Sequence, residues 1–307
     1  MRLTTMIADS YGRVVDNMRI SITQRCNLEC IYCHKEGESG AGNDEMSVEE
    51  ITRITRIASK IGIKNIKITG GEPLLREDIT EIVRQISGLP NIEEVSMTTN
   101  GTLLSIFADK LKKAGLKRVN ISLDTLDPEK FSRITGGRLN HVIEGVKSAA
   151  KANLTPIKMN MVLLKGINDN EVWDMIGFAG KLGIILQVIE FVPLAASFSK
   201  YHVNLQQLEE ELVRRSEDIK IRNFHRRRKY FLSPCGEVET VKPVHNSEFC
   251  MGCRRIRLTS DGKLKPCLMR SDNLVDILSP LRGDASDKEL KELFLKAIDL
   301  REPYYAG

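Results

Sequence analysis

Apolar residues follow two different periods along this chain of 307 residues. Short stretches rich in β-branched residues, such as residues 63–69 and 184–191, are typical of strands. Between such stretches, apolar residues recur at every third or fourth position, as in the series Val48, Ile51, Ile54, Ile57 and Ile61. This spacing is typical of a helix with one buried face, and a capping box from Ser47 to Glu50 predicts where that helix begins. The chain therefore alternates predicted strands and predicted helices.

Six predicted strand–helix units fill the chain as far as about residue 215. Repeated βαβ units predict a parallel sheet with right-handed crossovers, either curved into a barrel or open and doubly wound. In both cases functional residues collect at the carboxyl ends of the strands. Short predicted strands and turns replace this rhythm from about residue 219 onwards. We therefore expect an α/β fold with a domain of residues 1–220 and a smaller module of residues 221–307.

Two polar segments interrupt the pattern. Residues 36–44 are rich in Gly and Ser and are expected to form a mobile flap. Residues 225–229 read His-Arg-Arg-Arg-Lys and are expected to form a solvated edge strand, because charge protects an edge from mispairing. Contact between this basic run and a phosphate is the alternative.

Composition adds limits on the function. With 41% hydrophobic and 28% charged residues the chain is typical of a globular protein, and a net charge of +5 does not demand nucleic acid as a partner. Six of the seven cysteines fall in two tight sets, which favours metal centres in a reducing compartment over a disulfide framework. Neither a signal segment nor a membrane span is recognisable, so we expect a cytoplasmic protein without membrane contact.

The first cysteine set is Cys26, Cys30 and Cys33, directly after the predicted strand at residues 18–23. Thiolates bind soft metals and iron–sulfur clusters, and such a short loop can bring three sulfurs to one centre. Three ligands leave one iron of a four-iron cluster free for chemistry. A c-type haem attachment site that includes His34, a zinc site and a redox dithiol are the alternatives.

The second set is Cys250, Cys253 and Cys267. A zinc ribbon would normally have a second close pair of cysteines, so three ligands again favour a cluster with an open iron. Arg255 and Arg257 lie between them and point to the same side of a predicted strand. Two guanidinium groups beside such an iron suit an anionic substrate that also binds metal. The remaining Cys235 has no partner at a ligand spacing and is expected to be a small buried residue.

Small and polar residues also end several predicted strands. Gly70-Gly71-Glu72-Pro73 follows one of them, and this composition is also common in βα turns that have no other function. Because strand ends meet at one edge of the sheet, a cofactor cleft is expected to be lined there by Tyr32, Gly71, Thr98 or Thr99, Ser122 and Glu190.

Two of these motifs resemble those of the radical S-adenosylmethionine (SAM) superfamily. They are the three-cysteine loop, with the aromatic Tyr32 before its last cysteine, and the Gly-Gly-Glu-Pro turn. The resemblance implies that the free iron chelates SAM and that an electron then releases a 5′-deoxyadenosyl radical. Together with the second cysteine set, further segments resemble the GTP 3′,8-cyclase family of molybdenum cofactor (molybdopterin) biosynthesis, namely residues 19–33, 67–76, 98–101, 118–124 and 158–169.

This family resemblance implies a partial (βα)6 TIM-like barrel with a C-terminal module that carries an auxiliary cluster. It implies two [4Fe–4S] clusters as cofactors, one on each cysteine set, with SAM on the first cluster and GTP on the second. SAM would be held by Tyr32, Gly71 and Ser122. GTP would be held by Arg19, Lys67, Thr98, Lys158, Arg255, Ile256 and Arg257.

The implied reaction is that of a lyase, in which the adenosyl radical removes the ribose 3′ hydrogen of GTP and C3′ then attacks guanine C8. The implied partners are an electron donor protein such as ferredoxin or flavodoxin and the next enzyme of the pathway, with a monomer or homodimer as the assembly. In the family a terminal Gly-Gly reaches the active site, which makes Gly307 the catalytic candidate here.

The chain departs from the family pattern at two places. Val192 stands where the family often has Met, and Ala306 precedes the final glycine. Two other functions stay open at this stage. One is a peptide-modifying radical SAM enzyme with an auxiliary cluster, and the other is a non-catalytic metal-binding or electron-transfer module.

Overall fold

The computed structural model describes residues 7–38, 45–193, 196–233 and 236–305. Its strands, in chain order, are β1 (Asn17–Ser21), β2 (Asn65–Thr69), β3 (Glu94–Thr99), β4 (Arg118–Ser122), β5 (Lys158–Leu163), β6 (Ile185–Glu190), β7 (Asp218–Ile221), β8 (Arg228–Leu232), β9 (Gly236–Val241), β10 (Arg255–Leu258), β11 (Lys263–Lys265) and β12 (Val275–Asp276). Its α-helices are α1 (Val48–Lys60), α2 (Ile79–Ser87), α3 (Leu104–Lys113), α4 (Pro128–Thr135), α5 (Leu139–Lys151), α6 (Val172–Lys181), α7 (Gln206–Arg215), α8 (Ser247–Met251), α9 (Leu278–Arg282) and α10 (Asp287–Asp299).

The parallel sheet predicted from the alternating pattern is present. Strands β1 to β6 lie side by side in chain order, and each is parallel to the next. A doubly wound sheet would reverse its strand order partway, so the barrel type of order is the one adopted. The sheet ends at β12 on one side and at β7 on the other, and it stays open over the described ranges. The α/β fold class is confirmed.

The C-terminal part of the chain extends this same sheet at both ends. Strand β10 pairs in parallel with β1, which places Arg255 beside Asn17 and Arg257 beside Arg19. At the opposite end β9 pairs in parallel with β6. Residues beyond 220 therefore share hydrogen bonds with the predicted first domain on two sides, and a domain boundary near residue 220 stays a prediction.

The basic run at residues 225–229 does not form the expected solvated edge. Strand β8 lies between β7 and β9, so β7 is the edge of the sheet. His225 is buried, and the side chain of Arg227 is only 11% exposed. The expectation was wrong because the charge of Arg227 is balanced inside the protein by a carboxylate on β9, which local sequence does not reveal.

Helix ends follow the local chemistry of the sequence. The capping box predicted at Ser47 is formed with Glu50, and α1 buries Ile51, Ile54 and Ile57. Each such side chain contributes about 2 kcal/mol by leaving water. Helix α4 was not predicted, although its Asp127 cap and Pro128 at the first position are recognisable start signals. No helix in the described ranges is both long and apolar enough to span a bilayer.

Candidate active site between the two cysteine sets

A cavity of about 830 Å³ lies against the inner face and the carboxyl ends of the parallel strands. Cavities of this size hold small-molecule ligands. Both cysteine sets line it, although more than 200 residues separate them in the chain. The pairing of β10 with β1 brings them together, because it places the module that carries Cys250, Cys253 and Cys267 beside the strand that leads into Cys26.

The Gly-Gly-Glu-Pro turn holds the first cysteine loop in place. The Gly71 amide donates to the Thr23 carbonyl at 2.7 Å, and the Glu72 amide donates to the Arg25 carbonyl at 2.8 Å. A Cβ at Gly71 would lie 2.3 Å from the Arg25 carbonyl oxygen, so any larger residue would displace the loop. Gly71 also lines the cavity, so its backbone lies within reach of a ligand there.

Glu72 is fully buried and links this turn to the end of β3. Its carboxylate accepts the Asn100 amide and the Thr99 hydroxyl, both at 2.7 Å, and the Leu74 amide at 3.0 Å. Burial raises the pKa of Glu72 to about 7, although these hydrogen bonds oppose the shift. No cation neutralises this carboxylate among the described residues.

Asp124 is a second buried carboxylate beside the first cysteine set. It accepts the Tyr32 hydroxyl at 2.6 Å and the Val162 amide at 2.8 Å. Burial raises the pKa of Asp124 to about 6, and the same cause raises the pKa of Tyr32. We call Cys26, Cys30 and Cys33, with Glu72 and Asp124 behind them, the acidic half of the cavity.

The thiols of the acidic half fit a positively charged cluster. Burial, Asp124 and the two neighbouring thiols raise the pKa of Cys30 to about 12, so a thiolate there requires added positive charge, which iron supplies. Among the described residues, no three His, Cys, Asp or Glu side chains converge closely enough to surround a single ion. A four-iron cluster does not require such convergence, because each of its cysteines binds a different iron.

The second cysteine set lies in a different electrostatic environment. Burial raises the pKa of Cys267, whereas nearby Arg257 opposes the shift. The amide of Tyr305 donates to the Cys250 sulfur at 3.5 Å, which brings the C-terminal segment to this set. Thiols that face cations and amide donors are suited to act as thiolates toward iron.

Arg19 and Arg257 lie near this second set and share one carboxylate, Glu36. Both guanidinium groups are 2.6 Å from it, and Thr69 donates to it at 3.0 Å. Burial alone would raise the pKa of Glu36, but the two arginines lower it to about 2. The sequence placed Glu36 in a mobile flap, which is wrong for this residue because it is buried between two cations.

Lys67 and Arg255 are partly buried cations of the same wall, and neither has a carboxylate partner in the described ranges. The Lys67 amine donates to the Asn120 side chain at 2.9 Å, and its pKa is well below the usual range because of burial and of nearby Arg118 and Arg19. The Arg255 guanidinium lies 4.9 Å from the centre of the Phe224 ring. Burial, followed by Arg257 and Arg19, lowers the pKa of Arg255. Both side chains are therefore available to bind an anion.

A further set of cations surrounds Glu239, which is completely buried on β9. Its carboxylate lies 2.5 Å from Lys158, 3.1 Å from Arg222 and 3.5 Å from Arg227. Burial lowers the pKa of Lys158 to about 7 against the pull of Glu239, and the three cations lower the pKa of Glu239 to about 2. The carboxylate is thus charged, and the cations around it outnumber it. We call Arg19, Lys67, Lys158, Arg222, Arg227, Arg255 and Arg257 the cationic half of the cavity.

Comparisons with known proteins identify the family. A model of the radical SAM superfamily matches residues 20–179, and a model described as Molybdenum Cofactor Synthesis C matches residues 184–307. A probable GTP 3′,8-cyclase of Pyrococcus abyssi is 52% identical over 309 residues, which cover 98% of this chain and all of that protein. The chain belongs to the GTP 3′,8-cyclase family of radical SAM enzymes. A probable GTP 3′,8-cyclase of Archaeoglobus fulgidus is 47% identical, again over 98% of this chain and all of that protein.

Solved structures support the fold of this family member. Streptococcus suis SuiB bound to precursor peptide SuiA matches with a TM-score of 0.68 and 18% identity, over 99% of this chain and 67% of SuiB. SuiB bound to S-adenosylmethionine matches with a TM-score of 0.64, and this chain spans 61% of its length. At such identity the likeness shows the radical SAM fold alone. The near-full-length GTP 3′,8-cyclase relatives do not favour a peptide-modifying enzyme or a non-catalytic module.

Most of the predicted ligands of this GTP 3′,8-cyclase family member line the cavity described above. They are Arg19, Tyr32, Lys67, Gly71, Thr98, Ser122, Lys158, Arg255 and Arg257, together with the six clustered cysteines. Ile256 is the exception, because its side chain points into the core and is fully buried. Val192, Thr99 and Glu190 also line the cavity. Cys235 and the catalytic candidate Gly307, with Ala306 before it, lie outside the described residues.

Four charged residues in the cationic half or paired with it were not predicted from the sequence as ligands or counter-ions. Glu36 follows the cysteine loop closely, and that position was the only available signal. Glu239 occupies an inward position of the predicted strand at residues 237–241, where a carboxylate must have a partner. Arg227 belongs to the basic run that is expected to form a solvated edge strand, with phosphate contact as the alternative, and Arg222 precedes that run by three residues.

Proposed function

We propose that this protein converts GTP into (8S)-3′,8-cyclo-7,8-dihydroguanosine 5′-triphosphate, the first step of molybdopterin biosynthesis. The observation that carries this proposal is a cavity with a three-cysteine set in each half, buried carboxyl groups without a cation behind one half and an excess of cations in the other. Relatives that share about half of their residues with this chain over its whole length are named GTP 3′,8-cyclases.

SAM fits the acidic half. Its sulfonium and ammonium groups are positive, and positive charge nearby would favour the ionised forms of Glu72 and Asp124, whose pKa values are raised by burial and which no described cation faces. The carbonyl oxygen of Gly71 can accept an ammonium hydrogen, and Ser122 can donate to or accept from a ribose hydroxyl. Tyr32 is held by Asp124 and packs with Phe191, so its ring forms a fixed wall for the cofactor.

GTP fits the cationic half. A triphosphate carries several negative charges, and planar guanidinium groups bind phosphate oxygens in pairs. Among the described residues, Arg255 forms no ion pair that would have to break before it binds a phosphate group. Arg19 and Arg257, in contrast, would bind phosphate while both are paired with Glu36. The side chain of Ile256 is in the core, so only its backbone is available to the substrate. Lys158 and Lys67 extend the positive surface deeper into the cavity.

Two [4Fe–4S] clusters would be held by Cys26, Cys30 and Cys33 and by Cys250, Cys253 and Cys267. When bound, the first cluster and SAM supply a hydrogen-abstracting adenosyl group, and an electron donor protein such as ferredoxin or flavodoxin supplies electrons. The residues of the protein orient the two ligands so that ribose C3′ of GTP faces that group. Several charged groups of the wall, among them Glu36 and Lys158, are buried and so already shielded from water.

Isotope transfer tests the proposal. The reconstituted protein is incubated anaerobically with reductant, SAM and GTP that carries deuterium at C3′. The products are separated by chromatography and analysed by mass spectrometry. We expect one deuterium in 5′-deoxyadenosine and a new product that is an isomer of GTP. GTP labelled at C2′ is the matched control and should transfer none.

Other substrates separate this proposal from its alternatives. ATP and an unlabelled peptide, each given in place of GTP, should yield only the slow, uncoupled 5′-deoxyadenosine that SAM alone yields. Faster 5′-deoxyadenosine formation with the peptide than with SAM alone, or equal deuterium transfer from C2′ and C3′ of GTP, would contradict the assignment. Stoichiometric zinc in place of about eight irons per chain would contradict both clusters.

A further inference from the structure

Three buried charged residues lie outside the cationic half and are not ligands in the proposal above. Asp9, Arg13 and Arg301 form two ion pairs, with Arg13 Nε at 2.8 Å and Arg301 Nη1 at 2.7 Å from Asp9 Oδ2. Their side chains are at most 5% exposed. We call this group the Asp9 clamp.

Each arginine of the Asp9 clamp also bonds to the backbone of a predicted iron ligand. Arg13 Nη1 donates to the Cys250 carbonyl at 3.0 Å, and Arg301 Nη2 donates to the Cys253 carbonyl at 2.8 Å. The Cys253 amide in turn donates to the Cys250 carbonyl at 3.1 Å. Both cysteines of the turn are therefore fixed from the same side by groups that are distant in the chain.

Arg301 is also the start of the C-terminal segment that enters the cavity. Glu302, Tyr304 and Tyr305 follow it and line the cavity wall. The Tyr305 amide donates to the Cys250 sulfur at 3.5 Å, so the segment touches the turn a second time. A hydrogen bond to a cluster sulfur affects the electronic properties of the cluster.

We propose that the Asp9 clamp positions Cys250 and Cys253 in the second cysteine site and, through the same residues, holds the C-terminal segment against that site. Arg301 takes part in both contacts, because its guanidinium holds the Cys253 carbonyl while its backbone leads to Tyr305. The inference rests on the proposed second cluster. It goes further, because it assigns a role to three residues that the proposed function does not use as ligands, two of which, Arg13 and Arg301, line the cavity.

Stability alone does not account for the clamp. Replacing buried ion pairs by apolar residues of similar volume is often neutral or stabilising. A planar guanidinium, however, donates to Asp9 from one nitrogen and to a carbonyl from another in fixed directions, whereas an apolar residue has no donor and a lysine offers only a single nitrogen. The geometry thus favours a role in positioning over a role in packing.

The test measures iron in three variants after anaerobic reconstitution. Arg301→Met removes the guanidinium of Arg301 but leaves the ion pair of Arg13 with Asp9, so the chain should fold. We expect it to keep the iron of the first set and SAM cleavage, and to lose most of the iron of the second set, from about eight to about four irons per chain. Arg301→Lys should restore the unfolding temperature but only part of this iron. Arg270→Met is the control, because Arg270 pairs with Glu302 on the same segment without reaching the cysteine turn, and it should keep both clusters.

Electron paramagnetic resonance of the reduced protein assigns the lost iron to one set. Full second-set iron in Arg301→Met, equal loss from both sets, or full recovery in Arg301→Lys would each overturn the proposal. Fewer than two clusters in the unchanged protein would overturn the proposed function instead, so the two failures are distinguishable. If Arg301→Met does not fold, Arg301→Lys decides by the same iron measurement.

Discussion

The acidic half and the cationic half of the cavity both bury charge, but they leave opposite charges without partners. In the acidic half, burial raises the pKa of Glu72 to about 7 and of Asp124 to about 6, because no described cation faces them. In the cationic half, burial lowers the pKa values of Lys67 and Arg255. Each half therefore needs the charge that its proposed ligand carries, positive for SAM and iron and negative for GTP. The four predictions that follow test this difference.

The largest effect is expected from Cys30→Ser in the acidic half. Removing a cysteine ligand should reduce 5′-deoxyadenosine formation by more than about 100-fold, since even indirect changes around a metal cost about 10- to 100-fold. The variant should still bind GTP, which equilibrium dialysis measures. Cys253→Ser is its counterpart, and it should weaken or misplace GTP while some uncoupled SAM cleavage survives. Normal cyclisation by Cys253→Ser would refute the division into halves.

Glu239→Gln should have the next largest effect, on stability. Without the carboxylate, Lys158, Arg222 and Arg227 repel one another in a buried site, which should cost about 3–5 kcal/mol in the free energy of unfolding. GTP should recover much of this loss by supplying negative charge. Denaturant unfolding with and without GTP measures both effects, and Glu237→Gln at a partly exposed neighbour is the control. A stable variant that does not respond to GTP would contradict this role.

Arg255→Ala should weaken GTP binding by about 10- to 100-fold, equivalent to about 1.5–3 kcal/mol for hydrogen bonds to a charged group. Arg255→Lys should rescue little, because a point charge does not reproduce a planar fork. SAM affinity should change less than about twofold, since Arg255 belongs to the other half. An equal loss of SAM affinity would mean that Arg255 only supports the fold.

The smallest predicted effect is a dependence on pH. The Lys158 pKa of about 7 means that the free protein loses this charge as pH rises, whereas a bound triphosphate favours the protonated lysine. GTP affinity should therefore fall between about pH 7.5 and pH 9, by at most about tenfold per unit for one proton, with the phosphates already ionised. The slope should be shallower in Lys158→Arg. Identical slopes would assign the effect to another group.

The sequence revealed the acidic half better than the cationic half for a physical reason. Contacts of the acidic half are made by short motifs, so the cysteine spacing and Gly71 could be recognised directly. The alternation of Arg255 and Arg257 on one face of a strand was also readable, and β10 confirms it.

The counter-ions could not be predicted in the same way. Glu36 meets Arg257 across 221 positions of the chain, and Glu239 meets Lys158 across 81. The Asp9 clamp joins residues near the two ends of the chain. Such pairs depend on where β9 and β10 join the sheet, β9 beside β6 and β10 beside β1. No local pattern in the sequence encodes these strand pairings.

The most direct test of the two halves is equilibrium dialysis of SAM and of GTP with one alanine variant of each half. Gly71→Ala forces a Cβ to 2.3 Å from the Arg25 carbonyl and should displace the first cysteine loop, whereas Arg255→Ala removes a cation of the opposite wall. Our account predicts a crossed result, in which Gly71→Ala loses SAM and keeps GTP, and Arg255→Ala loses GTP and keeps SAM. Loss of the same ligand by both folded variants would contradict it.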